Sequence, residues 1–177
     1  MAIEIERKFL VRSDAWRGQI LSTTLLRQGY LANTPRSSVR VRIAGDRGWL
    51  SVKGMTPGIA RAEYEYPIPV VDAAEMLDSL CEGLQVEKLR HVVGVGAHRF
   101  EIDEFRGRND GLVVAEVELD SPGQAIERPG WLGEEVTEVL RYYNFRLAIE
   151  PFDAWPIALR EATIAGRHPA DDEGVPP

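Results

Sequence analysis

Charged residues recur along this chain at a spacing of two, and that interval gives them chemical meaning. Near the N-terminus Glu4, Glu6 and Lys8 alternate with Ile3, Ile5, Arg7 and Phe9. The same interval separates Arg40 from Arg42, Glu63 from Glu65, Lys88 from Arg90, Glu101 from Asp103, and Glu116 from Glu118. Successive side chains of a β-strand point to opposite faces, so each pair places its charges on one face. A single such strand reads as a solvated sheet face. A series of them, carrying both signs of charge, reads as a site.

The donor types say what that site would take. Lys8, Arg27, Arg40, Arg42, Lys53, Lys88 and Arg90 supply cations, several of them guanidinium groups suited to forked contacts with phosphate oxygens. Glu4, Glu6, Glu63, Glu65, Glu116 and Glu118 supply hard oxygen donors. With 3 His and 1 Cys in the whole chain, this carboxylate set suits Mg²⁺ or Mn²⁺ and argues against zinc. Cations beside such carboxylates describe a site for a polyphosphate and its metal.

These residues need strands to carry them. After the first strand, strand-like runs are expected at 23–31, 37–44, 49–53, 62–68, 85–95, 97–105 and 112–119, with a Pro- and Gly-containing loop over 55–61. Asp46-Arg47-Gly48 and Arg106 to Gly111 carry hairpin-turn chemistry, and Gly94-Val95-Gly96 is a turn rather than a dinucleotide fingerprint. A short turn of helix is expected after Ser13. A clear helix is expected from Asp72 to about Leu84, with Met76, Leu77, Leu80 and Cys81 on its apolar stripe. Another is expected from about Glu134 through Ile149, and a short one within 152–162.

Strands in hairpin order with helices outside make an α+β domain. Closure into an eight-stranded antiparallel β-barrel removes the exposed edges. The apolar alternates (Ile3, Ile5, Val39, Val41, Ile43, Tyr64, Tyr66, Val117 and Leu119) then need cover from outside, and the charged ones point inward. Isolated buried charges cost too much, so the interior must be a wet tunnel in which acids and bases balance. The expected domain runs over 1–162, with a disordered tail over 163–177.

Composition sets the context. A chain of 177 residues, 44% hydrophobic, makes one ordinary domain, and a net charge of -7 argues against a nucleic-acid-coating surface. Solitary Cys81 cannot form an internal disulfide, which favours a reducing compartment, and its apolar setting makes it core rather than nucleophile. No secretory signal and no apolar run of about 20 residues is visible. The expectation is a cytoplasmic protein with a small anionic partner, no nucleic acid and no membrane; the outer helices leave a homodimer open. His91 and His98 lack a partner acid at triad-like spacing and are read as structural.

The ordered series of motifs resembles the CYTH, or triphosphate tunnel metalloenzyme, family over roughly residues 1–152. It comprises Glu4-Ile5-Glu6-Arg7-Lys8, Gln28-Gly29-Tyr30, the Arg40 and Arg42 pair, Lys53-Gly54, and Glu63 with Glu65. It continues through Lys88 with Arg90, Asp103, Glu116 with Glu118, Gly133-x-Glu135-Val136-Thr137 and Tyr143-Asn144. Phe100 departs from the pattern, where a Trp is expected. The resemblance implies a tunnel that hydrolyses a triphosphate, inorganic tripolyphosphate above all, with a divalent metal. It implies Glu4, Glu6 and Glu118 as metal ligands with Glu116 beside them. Glu63, Glu65 and Asp103 would either ligate metal or brace the arginines. It implies Glu4, Glu6, Lys8 and Lys88 as catalytic, and Lys8, Arg40, Arg42, Lys53, Lys88 and Arg90 as the grip on the phosphates. Arg27 is a further substrate-binding candidate, and Tyr30 is either a gate or a packed strand residue. An adenylate cyclase of class IV type, a thiamine or nucleoside triphosphatase, and a non-catalytic polyphosphate-binding module stay open as alternatives.

Overall fold

The strands needed to carry the charges are all present. The structure, a computed structural model, describes residues 2–54 and 60–169. Its strands are β1 (Ala2–Val11), β2 (Ile20–Asn33), β3 (Ser37–Ala44), β4 (Arg47–Gly54), β5 (Ala60–Ile68), β6 (Glu82–Val95), β7 (His98–Phe105), β8 (Val113–Glu118) and β9 (Leu132–Glu135). Most of the loop expected over 55–61 lies outside the described residues, and its last two residues begin β5.

All pairings are antiparallel, in the order β5-β4-β3-β2-β6-β7-β8-β1-β9, and β5 also pairs with β1. That extra pairing carries the eight-strand order back to its start and curls the sheet into a tunnel. β1 serves both ends because its parts use different neighbours. Residues 2–5 pair with β5, Glu6–Leu10 pair with β8, and Phe9 and Val11 pair with β9.

Two apolar clusters cover the outward alternates, and a third lies on the inward side of the sheet, on the strand faces that carry Lys8, Asp103 and Glu116. Phe9, Trp16, Phe100, Val117 and Trp131 form one. Helix α1 (Val70–Ser79) lays Ala73 and Leu77 on Val41 to form a second. The third sets Leu10, Phe105 and Val114 against Tyr142, Phe152 and Trp155. Phe100 stands edge-on to Trp131, ring centroids 5.4 Å apart, fully buried. Tyr64 and Tyr66, expected under cover, are exposed, whereas Leu119 is buried in the outer cluster with Val117 and also borders the tunnel cavity.

Two expected elements differ. Helix α1 stops at Ser79, because the chain from Glu82 is taken up as a long partner for β2, beginning with Glu82 opposite Tyr30. The helix expected over 134–149 is replaced by β9, a 3₁₀ turn at Leu140–Tyr142 and the short α2 (Asn144–Leu147). The edge of β1 claims this backbone: Val136 N–H donates to Lys8 O at 2.8 Å, and Lys8 N–H donates to Thr137 Oγ1 at 3.0 Å. The apolar stripe expected of that helix (Val136, Val139, Leu140, Tyr143 and Leu147) is divided: Val136 and Leu147 are buried with Val139 packed against them, whereas Leu140 is exposed and Tyr143 lines the cavity.

Residues 163–169, expected to be disordered, are tied down, while 170–177 lie outside the described residues. Helix α3 (Ile157–Ile164) puts the Thr163 hydroxyl 3.0 Å from that of Tyr142. Glu134 N–H donates to Gly166 O at 2.9 Å, and His168 N–H donates to Glu134 Oε2 at 2.6 Å. These backbone groups found a place in the fold that composition does not reveal. Among the described residues no helix is long and apolar enough to cross a membrane.

Gly166 holds this crossing open. Its φ is +74°, and a β-carbon there would collide with the side chain and backbone of Arg12. Gly166→Ala is therefore expected to destabilise the fold by about 1–3 kcal/mol through combined strain and crowding. Denaturant unfolding of the variant beside wild type measures it, and an unchanged midpoint would contradict the close crossing.

Candidate active site

Register turns the intervals of two into rows across the tunnel. Lys8 on β1 faces Glu116 on β8, which faces Glu101 on β7, which faces Val92 on β6. One step along, Glu6 faces Glu118. On the opposite wall Arg40 faces Ser51, which faces Glu65, and Lys53 faces Glu63. Together these strands enclose a cavity of about 1040 Å³. Its lining includes Glu4, Glu6, Lys8, Tyr30, Arg40, Arg42, Lys53, Glu63, Glu65, Arg90, Glu116 and Glu118. Twelve sequence-predicted residues thus meet around one space.

Acids and bases are interleaved there. Lys53 Nζ donates to both oxygens of Glu4 at 2.8 Å and lies 3.2 Å from Glu63. Arg42 donates to Glu65 at 2.8 Å, and Arg40 lies 3.6 Å from Glu63. Lys8 Nζ donates to Glu116 at 2.6 Å, lies 3.8 Å from Glu6 and sits 5.1 Å from the centre of the Tyr143 ring. Arg90 donates to Asp103 at 2.6 and 2.7 Å, to Glu116 at 2.7 Å, and to Glu101.

The titrations follow from this packing. Burial works against the charge of Glu116, yet Lys8, Arg90 and Lys88 together hold its carboxyl well below the usual range. Burial likewise opposes the charge of Arg90, and Asp103 more than offsets it. Burial pushes Glu63 and Glu101 up, against the pull of Lys53 and Arg90 respectively. Burial and neighbouring Arg40 push Arg42 down. Arg40 and Arg42 each keep a buried Nε–H with no acceptor among the described residues.

Three predicted residues sit elsewhere. Arg27 is on the opposite face of β2, bonded to Asp78 and Gln85, because its odd position alternates with the inward Gln28. Lys88 and Asp103 are paired behind the cavity wall, each with a side chain 1% exposed. Lys88 is also 3.5 Å from Asn144 Oδ1. Lys88 is not among the residues lining the cavity; it pairs with Asp103, which in turn pairs with Arg90. Tyr30 does line the cavity, its ring 6.5 Å from that of Phe145.

Among the described residues no three acidic, His or Cys side chains form a metal cluster. The donors nevertheless fit a hard divalent cation. Glu6 and Glu118 are directly opposed across β1 and β8, and Glu118 has no ion-pair partner among the described residues. Like charges in that position repel unless a cation lies between them. Mg²⁺ commonly uses one or two carboxylates together with substrate phosphates, so this pair is sufficient.

A family model described as the CYTH domain matches residues 2–147. The chain belongs to the CYTH-domain family. An inorganic triphosphatase of Acetivibrio thermocellus is 45% identical over 152 residues, covering 86% of this chain and 97% of that protein. An inorganic triphosphatase of Nitrosomonas europaea is 40% identical over 151 residues, covering 82% of this chain and 97% of that protein. A solved crystal structure of an inorganic triphosphatase superposes with a TM-score of 0.62 at 40% identity, covering 84% of this chain and 96% of that one.

This CYTH tunnel also contains residues to which sequence reading gave no role. Glu101 and Arg99 line the cavity, and the interval of two running back from Asp103 points to both. His98, read as structural, lies at the rim with Gln124, their Nε2 atoms 3.3 Å apart. Tyr143, Asn144 and Phe145 close around the Lys8 end. A helical reading of that segment hides them, since it spends Tyr143 on the apolar stripe.

Lys88 gives the frame of this CYTH site a measurable pH signature. Burial lowers its pKa to about 8, against an ordinary 10.5, with Asp103 opposing the shift. Between those values the unfolded chain holds a proton that the folded chain lacks, so stability rises with pH. Relative to Lys88→Met, wild type should gain up to about 3 kcal/mol from pH 8 to 10.5. Parallel denaturant titrations of the two proteins read the difference; a flat difference would place Lys88 in contact with water.

Proposed function

We propose that this chain hydrolyses inorganic tripolyphosphate to pyrophosphate and phosphate within the tunnel, with Mg²⁺ or Mn²⁺. The observation that carries the reading is the meeting of Lys8, Arg40, Arg42, Lys53 and Arg90 with a wall of carboxylates around one cavity. A module that only bound anions would have no use for so many acids opposite its ligand. Relatives at 45% and 40% identity, matched over nearly their whole length, bear the name inorganic triphosphatase rather than cyclase.

The division of labour follows from positions. Arg40, Arg42 and Lys53 grip phosphate oxygens from one wall, and Lys8 and Arg90 do so from the other. Phosphoryl transfer needs positioning and charge neutralisation more than covalent help. Glu6 and Glu118, with Glu4 beside them, would hold the divalent ion. When bound, that ion neutralises phosphate oxygens and lowers the pKa of coordinated water. Water attacks the terminal phosphorus, the anhydride P–O bond breaks, and pyrophosphate leaves. The proton from the water passes to the acidic wall. Glu63 and Glu101, whose carboxyls burial pushes up, line the same cavity and are the proposed acceptors. Glu116, held well below the ordinary carboxylate range, stays ionised and fixes Lys8 and Arg90.

Phosphate release from tripolyphosphate, ATP and thiamine triphosphate, each with Mg²⁺, with Mn²⁺ and with chelator, tests the reading. Strong metal-dependent turnover of tripolyphosphate is expected. Arg42→Ala and Glu118→Gln should each lower kcat by about a hundredfold or more, the scale seen when one charge-stabilising contact is removed. Cyclic AMP and pyrophosphate from ATP would replace the reading with a cyclase. Tight tripolyphosphate binding without turnover would reduce the protein to a binding module.

A further inference from the structure

The inward row of β7 runs Asp103, Glu101, Arg99, from the sealed end of the tunnel toward the turn at Gly96 and Ala97. Arg99 is the outermost member and is exposed. Of the cations lining the cavity, Lys8, Arg40, Arg42, Lys53 and Arg90 each pair with a carboxylate. Arg99 makes no ion pair among the described residues. It is a charge at the mouth that the protein leaves uncommitted.

Its neighbours explain why that matters. Phe100 faces Val117, so the register carried one step further sets Arg99 beside Glu118, which in turn faces Glu6. Arg99 therefore stands at the level of the opposed carboxylates. Gln124 faces the same space, with Oε1 accepting Asp120 N–H at 2.6 Å and its amide nitrogen beside His98. The rim also carries Asp120 and Glu118, which repel a free polyanion, so an approaching phosphate chain needs a compensating cation there.

We propose that Arg99 is a substrate-binding residue, holding the phosphate that projects from the Glu6–Glu118 level into the tunnel mouth and setting affinity for the polyphosphate there. The proposal rests on the tripolyphosphate reading above. Arg99 would capture the incoming chain, whereas the paired cations inside would neutralise charge as the anhydride bond breaks. Its loss should therefore act on KM and on binding, and little on kcat.

The test uses calorimetric binding of inorganic pyrophosphate in Mg²⁺, alongside tripolyphosphate kinetics, for wild type, Arg99→Gln and Arg99→Lys. Arg99→Gln should weaken pyrophosphate binding and raise KM by about tenfold, as expected for one lost charge-assisted contact, with kcat within about twofold. Arg99→Lys should recover most of the affinity, and added salt should weaken wild type more than Arg99→Gln. Equal pyrophosphate affinity and KM in wild type and Arg99→Gln would overturn the proposal while leaving tripolyphosphate turnover intact. So would a fall in kcat at constant KM. Weakened pyrophosphate binding in a protein whose wild type turns over no tripolyphosphate would uphold the Arg99 site and overturn the hydrolase reading. Failure of wild type to bind either anion would overturn both.

Discussion

Charge enclosed by a sheet curled onto itself is the constraint from which the rest of this structure follows. Removing an ion from water costs several kcal/mol even after relaxation, and the cost is recovered only by a partner in good geometry. The tunnel meets this by register. Lys8 falls opposite Glu116, Lys53 opposite Glu63, and Arg90 opposite Asp103. A slip of one residue along β1 would send Glu4, Glu6 and Lys8 outward and bring Phe9 into the cavity. Charge and apolar packing thus select the same register from opposite faces of each strand.

The outer elements serve that register. Helix α1 covers Val41 and the segment around Trp16 covers Phe9 and Phe100 from outside, while the chain from Val136 to Trp155 packs on Leu10 and Val114, beyond the charged rows on the inward side. The C-terminal segment then returns across β9 through Glu134 and reaches Tyr142 through Thr163 and His168.

The barrel was legible in the sequence because period two is a local property that tertiary context reinforces. The pairs at Arg40 and Arg42, Glu63 and Glu65, and Glu116 and Glu118 all face inward as their spacing requires. What was not legible depends on contacts distant in sequence. Val136 and Thr137 have helical company on paper, but Lys8 offers them backbone partners 129 residues away in the case of Thr137. Arg27 has the right chemistry on the wrong face, a fact visible only once Gln28 and Tyr30 are known to point inward. Lys88 has the right face but lies beyond the cavity wall, sealed by Asp103 and Asn144. The ordering of 163–169 rests on backbone hydrogen bonds that composition cannot announce.

The ion pairs also differ in how freely they can be exchanged, and this divides the site into a frame and a grip. At the Lys8 end, Glu116 shares Lys8 and Arg90, Arg90 shares Asp103, and Lys88 seals the far side. Removing any one partner there would strand a buried charge, so these groups hold their places whether or not an anion is bound. Across the tunnel the pairing is looser. The Glu65 side chain is 33% exposed and divided between Arg42 at 2.8 Å and Arg40 at 3.8 Å, while both arginines keep an unfilled Nε–H. Water can screen Glu65 when a phosphate takes its place, and the arginines lose no hydrogen bond in the exchange. On the proposed reading, an incoming polyphosphate would displace the looser pairs on one wall while the tighter pairs on the other keep their geometry. That asymmetry would let a tunnel full of opposite charges remain stable when empty and still bind an anion.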